Sequence, residues 1–148
     1  MEFWIWLSNA LGAGSPRVND IVACFETAEH FYAEKKTGFR HVAFLTAAEK
    51  QKLSAASLSD ALRLKEKTLD KGYHILTPDR LRNIYAMPAV LYADGELNDI
   101  DETVAIALVG ARRCSDYGRA VAGELGFGLA RMGTVVITGM ARGIDAAA

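Results

Sequence analysis

Three arginines follow two apolar, strand-like runs near the end of the chain. Arg112 and Arg113 follow "AIALVG", and Arg142 follows "VVITGMA". The planar guanidinium group of arginine forms paired hydrogen bonds with phosphate oxygens, which the point charge of lysine does not. The chemistry that these residues indicate is the binding of a phosphate-bearing anion.

The elements that must position these arginines form one βαβ unit. "VAIALVG" is typical of a strand covered on both faces, residues 117–132 have helical spacing of apolar residues, and "TVVITG" predicts a second strand before a helix that begins at "IDAAA". Parallel strands end at the same edge of a sheet, where open α/β folds bind ligands. We therefore predict a phosphate site at this edge, formed by Gly110, Arg112, Arg113, Gly139, Arg142 and Gly143.

Each residue of this predicted site also has a structural interpretation. Arg112 and Arg113 could instead form ion pairs with Asp116 or Asp145 and hold the two loops together. The glycines could serve turn geometry rather than the approach of a ligand.

Neighbouring residues leave further alternatives. Tyr117 could stack on a base or cover the core, and Cys114 could be a reactive thiol or a buried spectator. No histidine stands near Ser115 or Thr138 in a catalytic motif, so nucleophilic catalysis lacks support. Asp145 is expected in a helix first turn, stabilised by the helix dipole rather than acting as a base.

Composition restricts the other classes of function. The chain has 148 residues and a net charge of -1, with all seven lysines between Lys35 and Lys71. Two cysteines and three histidines have no metal-ligand spacing, and no apolar run reaches the length of a membrane span of about 18 residues. We expect a cytoplasmic protein with no metal, no cofactor and no membrane partner.

The first half of the chain predicts helices. Residues 3–36 have helical spacing, and Gly12 and Gly14 form a hairpin that either lets two helices pack closely or grips a DNA phosphate. Thr46 and Glu49 have capping-box spacing. The domain prediction is a helical domain over residues 1–72, a linker with short strands and the acidic stretch "NDIDE" over 73–103, and the βαβ unit over 104–148.

These motifs resemble the bacterial DNA-processing protein A family (DprA, also called Smf). "AIALVGARRCSDYG" is similar to its G-[SA]-R-x-x-[ST]-x-Y-G motif, and "VVITGMARGIDAAA" is similar to its S-G-x-A-R-G-I-D motif. Upstream, "LSNALGAGSPRVNDIVACF" resembles the sterile-alpha-motif-like helices of the family, and "ILTPDRLRNIYAMPAVLYADGEL" resembles its linker. The resemblance implies an α/β fold in which a helical subdomain precedes a Rossmann-like sheet.

The resemblance also implies a function. Members bind single-stranded DNA in a basic pocket, load the RecA recombinase during natural transformation, tend to form homodimers and are not known for catalysis. The pocket arginine of the family falls on Arg112, and the arginine of its second loop falls on Arg142.

The sequence departs from the family in three places. Thr138 replaces the more usual serine, the segment between "ILTP" and "LRNI" is shorter, and the chain ends at Ala148, before the later strands of the family. We therefore expect a fragment or an incomplete reading frame. Two other functions stay open: an enzyme acting on small nucleotides, and a helical module that binds a protein partner.

Overall fold

The computed structural model describes residues 1–81, 85–96 and 102–148, which divide into two compact units, Met1–Gly95 and Glu96–Ala148. In the first unit the helices are α1 (Glu2–Leu11), α2 (Arg17–Phe25), α3 (Ala28–Ala33), α4 (Ala47–Ala55) and α5 (Leu58–Asp70), with 3₁₀ turns at Glu34–Thr37 and Pro78–Arg80 and the strands β1 (His74–Leu76) and β2 (Leu91–Ala93). The second unit contains β3 (Ala105–Ala107), α6 (Asp116–Arg131), β4 (Val135–Ile137) and α7 (Ile144–Ala147). The chain is therefore mixed α/β, with the helical part first and a parallel strand pair after it.

Aromatic side chains form the core of the first unit. Trp6, Phe31 and Phe39 are fully buried, and the ring of Trp6 meets that of Tyr32 edge-on at 4.8 Å between centroids. The indole N–H of Trp6 donates to the carbonyl of Ala56 at 3.2 Å, so the one polar atom of this ring is satisfied inside the core.

Capping residues define several helix starts, as the sequence predicted. The side chain of Thr46 accepts a hydrogen bond from the N–H of Glu49, and the carboxylate of Glu49 accepts one from the N–H of Thr46, which completes the capping box of α4. Ser57 caps α5, and Gly72 follows that helix with a φ of 79°. The sequence predicts the capping box at Thr46 correctly because both of its partners lie within one helical turn of each other.

The helical stretch predicted over residues 3–36 is interrupted at one point that the sequence did not predict. Besides the expected turn after α1, the chain breaks at Glu26, which has a φ of 61°, and Thr27 then caps α3 by accepting from the N–H of His30 at 3.2 Å. This break lets the rings of Phe25 and Phe31 pack edge-on at 5.3 Å. The free energy gained by packing the two rings against each other here exceeds the free energy that a continuous helix would gain.

Neither glycine of the first hairpin lies at a close helix contact. A Cβ built on Gly12 or Gly14 would meet no atom within 4 Å, but Gly12 has a φ of +92°. Gly12 therefore serves the backbone conformation of the turn, not the close packing of helices that the sequence suggested.

A β-hairpin completes the first unit. β1 and β2 pair antiparallel, with Ile75 opposite Tyr92. Both strands lie within residues 73–103, the linker in which the sequence predicted short strands. Residues 82–84 of this linker, and residues 98–101 of "NDIDE", lie outside the described residues.

The second unit is the predicted βαβ arrangement. β3 and β4 pair parallel, with Ile106 opposite Val136, and α6 connects them. Gly133 ends the helix region with a φ of 79°. One prediction is wrong: all three residues of β3 are exposed, so this strand is not covered on both faces in the described chain. Within the described ranges, no helix has the length and apolar character needed to cross a membrane.

Candidate functional site

Two loops meet where β3 and β4 end. The N–H of Leu108 donates to the carbonyl of Ile137 at 2.9 Å, which carries the parallel pairing to the last residues of both strands. We call residues 108–115 the first loop and residues 138–143 the second loop. Because the strands are parallel, both loops leave the same edge of the sheet, as the sequence predicted.

Backbone contacts hold the two loops together. The N–H of Ile144 donates to the carbonyl of Ala111 at 3.3 Å. Gly143 has a φ of +93°, and a Cβ on it would lie 2.7 Å from the carbonyl oxygen of Arg112. Only glycine allows the second loop to approach the first this closely.

A buried carboxylate makes a further connection. Asp145 is only 8% exposed, and its Oδ1 accepts a hydrogen bond from the N–H of Gly110 at 2.9 Å. The hydroxyl of Thr138 donates to the backbone carbonyl of Asp145 at 2.9 Å. Asp145 lies in the first turn of α7, as predicted, but its role in joining the loops was not recognised in the sequence.

The other two predicted glycines also lie at packed positions. A Cβ on Gly110 would come within 2.7 Å of Ile144, and a Cβ on Gly139 would come within 2.9 Å of the Asp145 carboxylate. These glycines permit contact between the loops and the start of α7. Approach of a ligand to their backbone stays a prediction.

The three arginines project from this joined pair of loops. Arg112, Arg113 and Arg142 are all exposed, and none forms an ion pair or a side-chain hydrogen bond with any residue in the described part of the chain. The alternative in which they pair with Asp116 or Asp145 is therefore not what the structure contains. The two loops hold three cationic side chains and no carboxylate, which favours an anion as the ligand.

Two large side chains stand exposed beside the arginines. Tyr117, in the first turn of α6, is 79% exposed, so the interpretation of this ring as a cover for the core is wrong. Met140, in the second loop, is 85% exposed and has a φ of 50°. A left-handed backbone at a residue other than glycine costs on the order of 1 kcal/mol, so this loop conformation is maintained by the contacts around it.

The hydroxyl groups of Ser115 and Thr138, near the site, both form hydrogen bonds that stabilise the local structure. Ser115 caps α6, because its Oγ accepts from the N–H of Gly118 at 3.1 Å, and Thr138 donates to Asp145 as described above. Cys114 is partly buried. The sequence contains no histidine after His74, so neither hydroxyl has a nearby histidine in its own unit to act as a base.

Known proteins match the part of the chain that contains these loops. A family model described as DNA recombination-mediator protein A matches residues 69–148, which include the whole of the second unit. The chain is also 38% identical over 68 residues to "DNA processing protein DprA" of Bacillus subtilis (strain 168). That alignment covers 46% of this chain and 23% of the relative, so the chain spans less than two thirds of the length of the protein that it matches.

Proposed function

Because this chain belongs to the DNA recombination-mediator protein A family, we propose that it binds the phosphates of single-stranded DNA through Arg112, Arg113 and Arg142. The observation that carries the proposal is the exposure of three arginines, none paired with a carboxylate of the described residues, on two loops that backbone contacts hold together. A rigid pair of loops lowers the entropy lost when several cations bind one strand.

Arginine–phosphate contacts explain attraction to nucleic acid but not the choice of strand. Duplex and single strands both carry phosphates, so preference for a single strand requires contact with unpaired bases. The exposure of the Tyr117 ring, in the first turn of α6 directly after the first loop, supports a contact with such a base. We therefore assign the phosphates to the arginines and one base to Tyr117.

The proposal is tested by fluorescence anisotropy of the full chain with a labelled single-stranded oligonucleotide at several salt concentrations. We expect Arg112→Ala to weaken binding and to reduce the slope of log K against log salt by about 0.7, the value for one phosphate contact on a single strand. Arg131→Ala is the matched control, since Arg131 is exposed at the far end of α6. Salt-independent binding, or equal losses in both variants, would contradict the proposal.

A role in recombination follows as the next part of the proposal. We propose that the bound strand is passed to a RecA-type recombinase in the cytoplasm during DNA uptake, that the protein acts as a homodimer, and that it is not an enzyme. The support is the family membership together with the engagement of Ser115 and Thr138 in structural hydrogen bonds. Faster recombinase filament formation on single-stranded DNA when the chain is added would support loading, and no acceleration would contradict it.

Competition with small nucleotides distinguishes this function from that of a nucleotide-processing enzyme. A DNA-binding surface that contacts several phosphates should be displaced poorly by nucleoside monophosphates, because each carries only one phosphate group. Efficient displacement by monophosphates, or release of base or phosphate from them, would favour the enzyme instead.

A further inference from the structure

A second basic surface lies in the helical unit, far along the sequence from the arginine loops. Residues 35–41, "KKTGFRH", contain three cationic side chains and no carboxylate. We call this segment the basic turn. It follows α3 and includes the end of the 3₁₀ turn at Glu34–Thr37.

A buried aromatic residue fixes the backbone of the basic turn. Gly38 has a φ of 64° and Phe39 a φ of 58°, so two consecutive residues are left-handed. The Phe39 ring is fully buried, with its centroid 5.3 Å from that of Phe31 and 6.3 Å from that of Trp6. A bulky residue rarely adopts this conformation, so core packing holds the turn in a shape that its local preferences oppose.

The cations of the turn divide into two kinds. Lys35 is tied to the core, because its Nζ donates to the carbonyl of Ala56 and lies 5.8 Å from the centre of the Trp6 ring. Lys36 and Arg40 are exposed and have no ion pair within the described ranges of the chain.

Two cations elsewhere in the same unit are paired with carboxylates. Arg17 pairs with Glu49 at 2.9 Å, and Lys65 pairs with Glu2 at 2.8 Å. The basic turn has one neighbouring acid, Glu34, whose carboxylate accepts the hydroxyl hydrogen of Thr37 at 3.0 Å. The positive charge of the turn is therefore left facing solvent.

These side chains share one open groove. Its lining consists of Lys36, Thr37, Gly38, Arg40 and His41. An ammonium group, a guanidinium group and an imidazole here supply hydrogen-bond donors for oxyanions. Because the groove is open rather than enclosed, it suits a linear chain of phosphates better than one small phosphorylated molecule, which needs surrounding walls.

We infer that the basic turn is a second binding site for the phosphate backbone of single-stranded nucleic acid, with Lys36 and Arg40 as the two contacts. The choice of nucleic acid over other polyanions rests on the proposed function. The site itself rests on residues of the first unit alone, so it stands or fails separately from the arginine loops.

The experiment uses the full chain and compares two double variants. Lys36→Ala with Arg40→Ala removes the two contacts, and Lys67→Ala with Lys71→Ala removes the same charge from exposed positions at the end of α5. Binding of a labelled single-stranded oligonucleotide is measured across salt concentrations by anisotropy. We expect the first variant to bind about tenfold more weakly and to reduce the salt slope by about 1.4, since each single-strand phosphate contact contributes about 0.7.

The outcomes separate the two proposals. If Arg112→Ala weakens binding while the Lys36 and Arg40 variant binds like its control, the inference is overturned and the proposed function stands. If only the Lys36 and Arg40 variant loses affinity, the inference stands and the proposal that the arginine loops bind DNA is contradicted. Absence of DNA binding by the unaltered chain overturns both.

Two other polyanions are included as competing ligands. Vesicles containing phosphatidylglycerol and a phosphoserine peptide are titrated against the same variants. Binding of either one that depends on Lys36 and Arg40, with no such dependence for the oligonucleotide, would overturn the assignment to nucleic acid. Thermal melting of each variant shows whether the fold is retained, which we expect because both side chains are exposed.

Discussion

Asp145 accepts a hydrogen bond through Oδ1 from the backbone N–H of Gly110, with 2.9 Å between the two heavy atoms, and this bond joins the start of α7 to the first loop. The two residues are 35 positions apart in the chain. The bond lies beside the loops that carry the arginines, so it links the stability of the second unit to the geometry of the candidate site.

Replacing Asp145 by alanine should destabilise the second unit by about 1–3 kcal/mol, because the unit loses a hydrogen bond whose acceptor is a buried carboxylate. Amide hydrogen exchange should accelerate at Gly110, which is the direct readout. Asp145→Asn retains an acceptor oxygen and should lose less. Asp116→Ala removes an exposed carboxylate from α6 and is the control; equal effects at both positions would contradict the role given to this bond.

Gly143→Ala should separate the two loops. The new methyl group would collide with the carbonyl oxygens of Ala111 and Arg112, and the φ of +93° is strained for alanine. We expect a loss of more than about 1 kcal/mol in the free energy of unfolding, measured in urea, and weaker binding of single-stranded DNA.

Gly128 provides the matched control for that substitution. It lies inside α6 with no atom within 4 Å of its Cβ position. Gly128→Ala should therefore stabilise the chain by up to about 1 kcal/mol, because alanine loses less backbone entropy in a helix. If Gly143→Ala behaves like Gly128→Ala, the close approach of the loops is not required.

Tyr117→Ala should reduce the preference for single strands over duplex. Stacking on an aromatic ring is worth about 1–3 kcal/mol per base, so single-strand affinity should fall by about tenfold or more while duplex affinity changes little. Tyr117→Phe keeps the ring and should retain the preference. Equal losses for both kinds of DNA would indicate that the tyrosine does not contact a base.

The ion pair between Glu49 and Arg17 predicts a pH dependence of stability. Hydrogen bonds from Arg17 and from the backbone of Thr46 lower the pKa of Glu49 from 4.5 to about 2. Since the folded pKa lies below the unfolded one, this stabilisation is present above about pH 4.5 and is lost as the pH falls toward 2.

Glu49→Gln should remove that dependence while retaining a capping box, because glutamine also caps from this position. We expect the variant to lose on the order of 1–2 kcal/mol at neutral pH, after allowance for solvent screening, and to differ little from the parent near pH 2. Urea unfolding across pH 2–6 measures the difference. Glu66→Gln, at an exposed position of α5, should leave the profile unchanged.

Local signals in the sequence were sufficient for much of the fold. The capping box at Thr46 depends on a partner within one helical turn, and it was predicted correctly. The parallel strand pair was predicted because two apolar runs flank one amphipathic helix.

The errors concern contacts that the local sequence does not contain. The helix break at Glu26 depends on the packing of Phe25 against Phe31, and the exposure of β3 depends on which elements cover it. The link between Asp145 and Gly110 could not be predicted from position alone, because a carboxylate in a first turn has the helix dipole as a sufficient explanation. The assignment of the site residues to DNA phosphates stays a prediction.

The packing of Phe39 against Trp6 gives the chain an optical property. Trp6 is fully buried, with the Phe39 ring on one side and the Lys35 ammonium group 5.8 Å from its ring centre. The emission of an indole ring depends on nearby charge. Lys35 is adjacent in the chain to Lys36, and Phe39 is adjacent to Arg40, so both neighbours of the Trp6 ring are bonded directly to residues of the groove. Occupation of the groove by a polyanion should therefore change the intrinsic fluorescence of the protein, which would allow binding to be followed without any label.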